Sequence, residues 1–499
     1  MINRSSGVLM HISSIPSNYG IGTMGKEAYN FVDFIKNAGQ TYWQFLPICP
    51  PSDADSPYQS YSTFAGNPYF IDLDLLEQNG YLSKSDYVNI NWGKDNSAVD
   101  YDKIHANRLN VLRIAYKNWI KTNKQKLEKF IESYEWVDNY SLFMTLLGVN
   151  GGKTWWDWED KFKFRDETAL KEFKSENEDE INFWIFTQCV FFEQWFELKK
   201  YANDKGIKFI GDLPIYVSGN SSDNWANAED FCLDETMHPI KVSGCPPDGF
   251  SETGQLWGNP IFNWAKMKEE NYEWWYKRFK AYMEMFDVIR IDHFRAFDSY
   301  YSIDANEKTA VNGEWVKGPG YEFFEIMKKR LGEFDIIAED LGYLTQSVRD
   351  LVKKCGFLGM KILEFAFDSR EEDDYLPHNY DSSSVVYVGT HDNNTAIGWS
   401  REVNAKTKSF CKKYLKIGLF ESFNWGMIRG SMSSVSNLSI TQMQDFLGLG
   451  EKARMNIPST IGINWKWRMK KGATTEKLAK KIYNMTELYD RIPLNKVNK

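Results

Sequence analysis

Acidic residues end or closely follow three of the short apolar runs in this chain of 499 residues. Asp292 ends one run, Glu339 ends the next, and Asp392 follows a third by a few residues. Two carboxyl groups can cleave a glycosidic bond, because one attacks the anomeric carbon while the other protonates the leaving oxygen. When the two lie about 5–5.5 Å apart, the anomeric configuration is retained. A third carboxylate can hydrogen-bond the sugar hydroxyls.

Arg290 suggests different roles for the first two acids. Side chains alternate along a strand, so Arg290 and Asp292 share a face, and the guanidinium should keep Asp292 ionised, as a nucleophile requires. The sequence places no cation directly beside Glu339, which favours the raised pKa of a general acid. Each acid could instead cap a helix or form a structural ion pair.

Eight runs rich in β-branched residues, each bounded by turn residues, predict the strands that must position these acids. They are residues 8–12, 43–48, 208–213, 288–292, 335–339, 361–365, 385–389 and 455–458. The last prediction is the weakest, because Pro458 cannot donate to a strand ladder.

Helical patterns alternate with these runs. Ala28, Phe31, Val32 and Ile35 follow helical spacing. Such alternation predicts an α/β fold, a (β/α)8 TIM barrel with large, mainly helical insertions in its βα loops, whose site lies at the carboxyl ends of the strands. We expect residues 1–499 to form one catalytic barrel. The expected insertions are a helical subdomain at about 75–180 and a loop region at about 218–270, with a lid at 244–260.

Composition excludes several classes of function. The net charge of −8 without basic blocks argues against nucleic-acid binding. The apolar run 183–192 is about half of what a membrane span needs, and the amino terminus lacks the apolar stretch of a secretory signal. Six scattered cysteines predict reduced thiols in a cytoplasmic protein and no metal bound by Cys or His.

Several longer motifs resemble those of the amylomaltase family, the 4-α-glucanotransferases of the α-amylase superclan. They include residues 56–59 (SPYQ), 211–217 (GDLPIYV), 254–260 (GQLWGNP), 290–295 (RIDHFR), 338–342 (AEDLG) and 389–393 (GTHDN). The resemblance runs nearly end to end and implies retaining transfer of α-1,4-glucan segments between maltooligosaccharides, with release of glucose and no metal or organic cofactor. Maltooligosaccharides and longer α-1,4-glucans would be the partners.

The resemblance also implies residue roles. Asp292 would be the nucleophile, Glu339 the general acid/base and Asp392 the stabiliser of the transition state. The residues implied to bind substrate or brace the site are Ser56, Tyr58, Asp212, Gln255, Trp257, Arg290, His293, His391 and Asn456. Two positions depart from the family pattern: Gly249 replaces an aromatic residue, and Ser459 replaces the glycine of Asn-x-Pro-Gly-Thr.

Two other functions stay open on the residues alone: an α-1,4-glucan hydrolase on the same barrel, and a catalytically silent glucan-binding protein. Tyr58 and Trp257 are expected in loops that recognise substrate. The cluster Trp155, Trp156 and Trp158 is expected to be packing. The histidines expected to be structural or at the surface are His11, His105, His238 and His378.

Overall fold

The computed structural model describes residues 2–52, 54–247, 251–342, 344–367 and 375–492. The strands there are β1 (Ser5–Leu9), β2 (Tyr42–Gln44), β3 (Lys208–Pro214), β4 (Lys241–Cys245), β5 (Gln255–Pro260), β6 (Val288–Asp292), β7 (Ser299–Asp304), β8 (Gly313–Lys317), β9 (Ile336–Ala338), β10 (Leu358–Ile362), β11 (Ser384–Tyr387) and β12 (Leu438–Gln442).

The α-helices are α1 (Lys26–Asn37), α2 (Leu73–Gln78), α3 (Tyr101–Ser133), α4 (Trp136–Val149), α5 (Asp160–Lys163), α6 (Glu167–Glu176), α7 (Glu178–Asp204), α8 (Ser222–Ala226), α9 (Trp264–Glu269), α10 (Glu273–Met285), α11 (Gly320–Leu331), α12 (Gln346–Cys355), α13 (Ala396–Glu402), α14 (Ala405–Tyr414), α15 (Phe423–Ser433), α16 (Met443–Phe446) and α17 (Glu476–Leu488). No helix in these ranges is long and apolar enough to cross a membrane.

Eight strands form a closed parallel barrel in the order β1-β12-β11-β10-β9-β6-β3-β2, which confirms the predicted (β/α)8 fold. Seven of the eight predicted runs overlap barrel strands. These strands are apolar over most of their length because helices cover the sheet on its outer face and side chains fill the barrel.

The eighth predicted strand is wrong. Its place between β1 and β11 is taken by β12, and residues 455–458 lie in the loop that follows. The strand escaped prediction because Ser439, Thr441 and Gln442 interrupt its apolar pattern, although all three are buried. The Ser439 hydroxyl is satisfied inside the fold, 2.8 Å from the hydroxyl of Ser431.

The predicted helical spacing is confirmed in α1, where Ala28, Phe31, Val32 and Ile35 are all buried. This helix is followed by Gly39, whose φ of +70° is the left-handed conformation in which glycine carries no steric cost. The helix therefore stops where the chain turns toward β2.

Three inserted segments follow the barrel strands β2, β3 and β6. Helices α2 to α7 lie between β2 and β3, and α3 and α4 both pack on α7. A second sheet, antiparallel with the order β5-β4-β7-β8, was not predicted. It corrects the expectation that Trp257 lies in a loop, because Trp257 is on β5. Glycine and proline obscured this strand in the sequence, yet Gly244 lets β4 approach so closely that a Cβ there would lie 2.3 Å from the Gln255 carbonyl oxygen.

Candidate active site

A cleft of about 1200 Å³ lies at the carboxyl ends of the barrel strands. Ten of the twelve predicted site residues line it: Ser56, Tyr58, Gln255, Trp257, Asp292, His293, Glu339, His391, Asp392 and Asn456. The other two, Asp212 and Arg290, are fully buried beneath these residues. Barrel closure thus brings together residues that are as far as 400 positions apart in the chain.

Arg290 is the centre of the charged cluster under the cleft. Its Nη1 donates to Asp212 Oδ1 at 2.5 Å and to Asp292 Oδ1 at 3.1 Å. Its Nη2 lies 3.2 Å from Glu339 Oε2. The expectation that no cation adjoins Glu339 is therefore wrong: β9 lies beside β6 in the barrel, so one guanidinium reaches acids on both strands.

Asp292 and Glu339 form a hydrogen-bonded carboxyl pair. Burial and the adjacent Glu339 carboxylate raise the pKa of Asp292 well above its ordinary value. Burial opposes ionisation of Glu339 as well, but Arg290 and hydrogen bonds from Asp292 and His293 lower the pKa of Glu339. The two carboxyl groups repel each other when both are ionised, and these pKa shifts favour Asp292 as the group that keeps a proton, the reverse of the expected division.

The backbone N–H of His293 points at the Glu339 carboxyl group. It has a left-handed φ of +52°, uncommon for a residue with a side chain. In this conformation its N–H donates to Glu339 Oε2 at 2.7 Å. Burial lowers the pKa of the imidazole to about 4, so the ring is neutral near pH 7. Its buried Nε2 has no partner among the described residues, and the ring meets Trp257 edge-on at 4.7 Å between centroids.

Asp392 is held as an ionised carboxylate. Asn456 Nδ2 donates to its Oδ1 at 2.6 Å, and His391 Nε2 lies 3.3 Å from its Oδ2. Burial opposes ionisation, but these two side chains hold the pKa of Asp392 far below its usual value. Arg454, which the sequence did not single out, donates to the backbone oxygens of Asp392 at 2.6 Å and of Asn456 at 2.7 Å. Its only sequence signal was its position two residues before Asn456.

Tyr58 connects the cluster around Arg290 with the residues around Asp392. Its hydroxyl donates to Asp212 Oδ2 at 2.8 Å and lies 2.8 Å from His391 Nε2. The Tyr58 and His391 rings stack with centroids 5.2 Å apart, and Trp465, also missed by the sequence reasoning, packs against both. Arg290 and Tyr58 occupy both oxygens of Asp212, which leaves this carboxylate buried behind the cleft.

Aromatic residues from the insertions form much of the remaining wall. Trp155 and Trp158 are buried, as the packing interpretation expected, but Trp156 lines the cleft. Trp315, on β8, also lines it and had no sequence signal. Their positions depend on how the inserted segments fold back over the barrel.

The four remaining histidines lie outside this cleft. Burial lowers the pKa of His11 to about 3, and His11 lines a small void next to His391. His105 forms an ion pair with Asp55 at 2.8 Å, and His238 and His378 lie within hydrogen-bond distance of hydroxyl groups. Within the described ranges, no cluster of three or more His, Cys, Asp or Glu is arranged to hold a metal ion.

The two departures from the family pattern differ in what the structure shows. Gly249 lies outside the described residues. Ser459 lines the cleft and has a φ of +64°, a conformation in which glycine would be unstrained.

The barrel and its buried carboxylates define a (β/α)8-barrel protein with the residue set of a glycoside-processing site. The sequence model of the 4-alpha-glucanotransferase family matches residues 10–475. The chain therefore belongs to the 4-alpha-glucanotransferase family.

Individual relatives agree over the whole chain. The 4-alpha-glucanotransferase of Clostridium butyricum is 50% identical over 97% of this chain and 100% of its own length. That of Streptococcus pneumoniae serotype 4 is 45% identical over 100% of this chain and 99% of its own length. The solved structure of amylomaltase from Streptococcus agalactiae in complex with acarbose has a TM-score of 0.96 at 42% identity, covering 98% of this chain and 100% of that one.

Proposed function

We propose that this protein is a retaining 4-α-glucanotransferase that moves α-1,4-glucan segments between maltooligosaccharides and releases glucose. The observation that carries retention is the direct hydrogen bond between Asp292 and Glu339. Inverting enzymes separate their carboxyl groups by about 6.5–9.5 Å to admit a water molecule, whereas carboxyl groups in contact leave no room for one.

Asp292 is the nucleophile and Glu339 the general acid/base. The Asp292 carboxylate attacks the anomeric carbon, the glycosidic C–O bond breaks, and the Glu339 proton passes to the leaving oxygen. In the second half, a hydroxyl of the acceptor sugar gives its proton to Glu339, its oxygen bonds to the anomeric carbon, and the bond to Asp292 breaks. Asp392, ionised throughout, stabilises the positive charge that develops on the sugar ring.

The proton of the pair must change position before the first step. The pKa shifts favour Asp292 as its carrier, while the mechanism needs it on Glu339. The hydrogen bond that joins the two carboxyls provides the path. A glycosidic oxygen placed beside Glu339 accepts a hydrogen bond only from the protonated acid, so substrate favours this transfer.

The remaining residues bind substrate or support the acids. We propose that Tyr58, His293 and His391, which line the cleft, contact the sugar that is transferred. Ser56, Gln255, Trp257 and Asn456 line the adjoining cleft. Asp212 fits a supporting role better than the direct sugar contact implied by resemblance, because both of its oxygens are already engaged.

Segment 244–260 is proposed to cover the covalent intermediate against water. Several of its described residues line the cleft, among them Cys245, Pro246, Pro247 and Trp257. Exclusion of water would favour a sugar acceptor over hydrolysis. We take residues 1–499 as one catalytic barrel, with 75–180 and 218–270 as its inserted parts.

Incubation of the pure protein with maltotriose tests the proposal. We expect glucose plus a ladder of longer maltooligosaccharides, without a net gain in reducing ends. A gain in reducing ends without the ladder would identify a hydrolase, and no turnover would favour a glucan-binding protein.

Two substitutions test the catalytic roles in the same assay. Asp292→Asn and Glu339→Gln should each lower kcat by about 10³-fold or more, since each removes a group that makes or breaks a bond. Asp445→Asn is the matched control, because Asp445 is another buried acid beyond a barrel strand but lies outside the cleft. Unchanged turnover in the first two variants would contradict the assignment.

We also propose that the enzyme works in the cytoplasm. All six cysteines carry free thiols, which suits a reducing compartment. Fractionation of the producing cells with an antibody against the protein tests this location; recovery outside the cytoplasmic fraction would contradict it.

A further inference from the structure

Trp315 presents an exposed aromatic ring on the wall of the cleft. It lies on β8, an edge strand of the antiparallel sheet, and is 40% exposed, although most of the protein's tryptophans are buried. It lines the same cleft as Asp292 and Glu339. An exposed indole in a substrate cleft offers an apolar plane on which a ligand can pack.

The indole is held in place from behind. The Arg295 guanidinium carbon lies 3.8 Å from the ring centroid, and Arg295 is itself buried. Tyr301 meets the indole edge-on, with centroids 5.2 Å apart. Arg295 thus covers one face of the indole, and the exposed part of the ring borders the cleft. A ring fixed in this way loses little freedom when a ligand packs on it.

The strand that carries Trp315 lies apart from the strand that carries Trp257. Trp257 lies on β5 and contacts His293, next to Asp292, so it marks the vicinity of bond cleavage. In the order β5-β4-β7-β8, the strand of Trp315 is three steps away, or roughly 14 Å at the usual strand spacing. This separation corresponds to a few glucose units of a chain running along the wall.

We propose that Trp315 is the platform of a remote glucan subsite, on which a glucose unit away from the cleaved bond packs its apolar face. The ligand class follows from the chemistry: a pyranose ring has a face of C–H groups that packs on an aromatic plane, and the platform is continuous with the cleft that holds the carboxyl pair. This subsite rests on the proposed function, because it serves the long chains that a glucanotransferase uses.

Chain-length dependence tests this subsite. In Trp315→Ala, kcat/KM for maltotriose should stay within about two-fold of wild type, since maltotriose is too short to reach both centres. For maltoheptaose it should fall by about ten-fold, the loss typical of one aromatic packing contact. Trp315→Phe keeps an aromatic plane and should recover most of the maltoheptaose activity. Phe164→Ala, another exposed aromatic but outside the cleft, is the matched control.

Binding gives a second readout that does not need turnover. Maltoheptaose should bind the inactive Asp292→Asn variant about ten-fold more tightly than the Asp292→Asn/Trp315→Ala variant in calorimetry. Equal affinities, or equal losses for maltotriose and maltoheptaose in Trp315→Ala, would overturn the remote subsite. Absence of transfer in the wild type would instead contradict the proposed function, so the two failures are distinguishable.

Discussion

Two groups of buried acids at the carboxyl ends of the barrel strands differ in how their charge is compensated. Asp212, Asp292 and Glu339 surround the guanidinium of Arg290. Glu364 and Asp445 follow β10 and β12, and neither has a cation within ion-pair distance among the described residues. Each has one carboxyl oxygen without a hydrogen-bond partner there. Acids near strand ends are thus common in this barrel, and a buried cation compensates the group at the cleft but not Glu364 and Asp445.

The difference appears in protonation. Burial raises the pKa of Asp445 to about 7 and that of Glu364 well above its ordinary value, where the nearby Asp445 raises it further. Around Arg290, burial raises the pKa of Asp212 and Asp292, whereas the guanidinium helps to lower the pKa of Glu339. A neutral buried acid is structural, whereas a compensated pair can pass a proton and carry a negative charge to the sugar.

Among the substitutions that test this comparison, the largest effect is expected on replacing the central cation. Arg290→Lys puts one ammonium where a planar guanidinium contacts three carboxyl groups, so the acids shift and repel one another. We expect kcat to fall by about 100-fold, as for small displacements of reacting groups, and the free energy of unfolding to fall by about 3 kcal/mol. Kinetics with maltotriose as substrate measure kcat, and urea denaturation measures the free energy of unfolding.

Arg108→Lys provides the control for that variant. Arg108 is equally buried but donates to backbone carbonyl groups outside the cleft. It should lose stability without a matching loss of kcat. If Arg290→Lys kept wild-type kcat, the contrast between the two groups of acids would not depend on the cation.

Asn456→Ala should change the pH dependence of activity. It removes the 2.6 Å hydrogen bond that helps to depress the pKa of Asp392. Because the pKa of Asp392 then rises, the ionised fraction is lost at higher pH as the solution is acidified. We expect the acid limb of the kcat profile to move to higher pH and kcat near neutrality to fall by about ten-fold.

Asn464 supplies the comparison for this profile. It belongs to the same loop and accepts from the Ile457 N–H at 2.9 Å. Asn464→Ala should leave the acid limb in place. If the acid limb of Asn456→Ala did not move, the hydrogen bond from Asn456 would not control the ionisation of Asp392.

Asp445→Asn probes the uncompensated group. A carboxyl whose pKa is raised on folding binds its proton more tightly in the native state, so its stabilising contribution is complete below about pH 4 and is lost as the pH rises to about 7. Asparagine keeps an acceptor for the Ala396 N–H, which donates to Asp445 Oδ1 at 2.7 Å, and carries no charge.

The variant should therefore match wild type in free energy of unfolding at pH 4.5 and exceed it by about 3 kcal/mol at pH 8, as denaturation at the two pH values would measure. A difference between variant and wild type that is independent of pH would contradict the protonation of Asp445 in the native protein.

The smallest effect is expected at Ser459, in the loop that carries Asn456. Glycine removes the steric cost of a φ of +64° but adds freedom to the unfolded chain, so the net gain in stability should be about 0.5 kcal/mol. Thermal denaturation checks it. Ser459→Ala should give no gain, because alanine is strained there as serine is; a gain equal to that of glycine would argue against backbone strain.

Several parts of the fold and site were predictable from local patterns. Seven strands overlap their predicted runs because their buried residues are apolar and close in sequence. The eighth prediction failed because β12 buries polar residues, and one of them, Ser439, meets its partner Ser431 only in the folded barrel. The second sheet was not predicted because β4 pairs with β5 across a bulge and with β7 far along the chain.

By itself, the sequence determined the residue types and their order along the barrel: the acids beyond the strands, the arginine two positions before Asp292, and the motifs that indicate the family. Only the tertiary structure decided which charged groups interact and which side chains line the same surface. Arg290 reaches Glu339 because β6 and β9 are neighbours, and Trp315 enters the cleft because an inserted sheet folds over the barrel. Electrostatic coupling and packing depend on distance through space, and distance along the chain does not specify them.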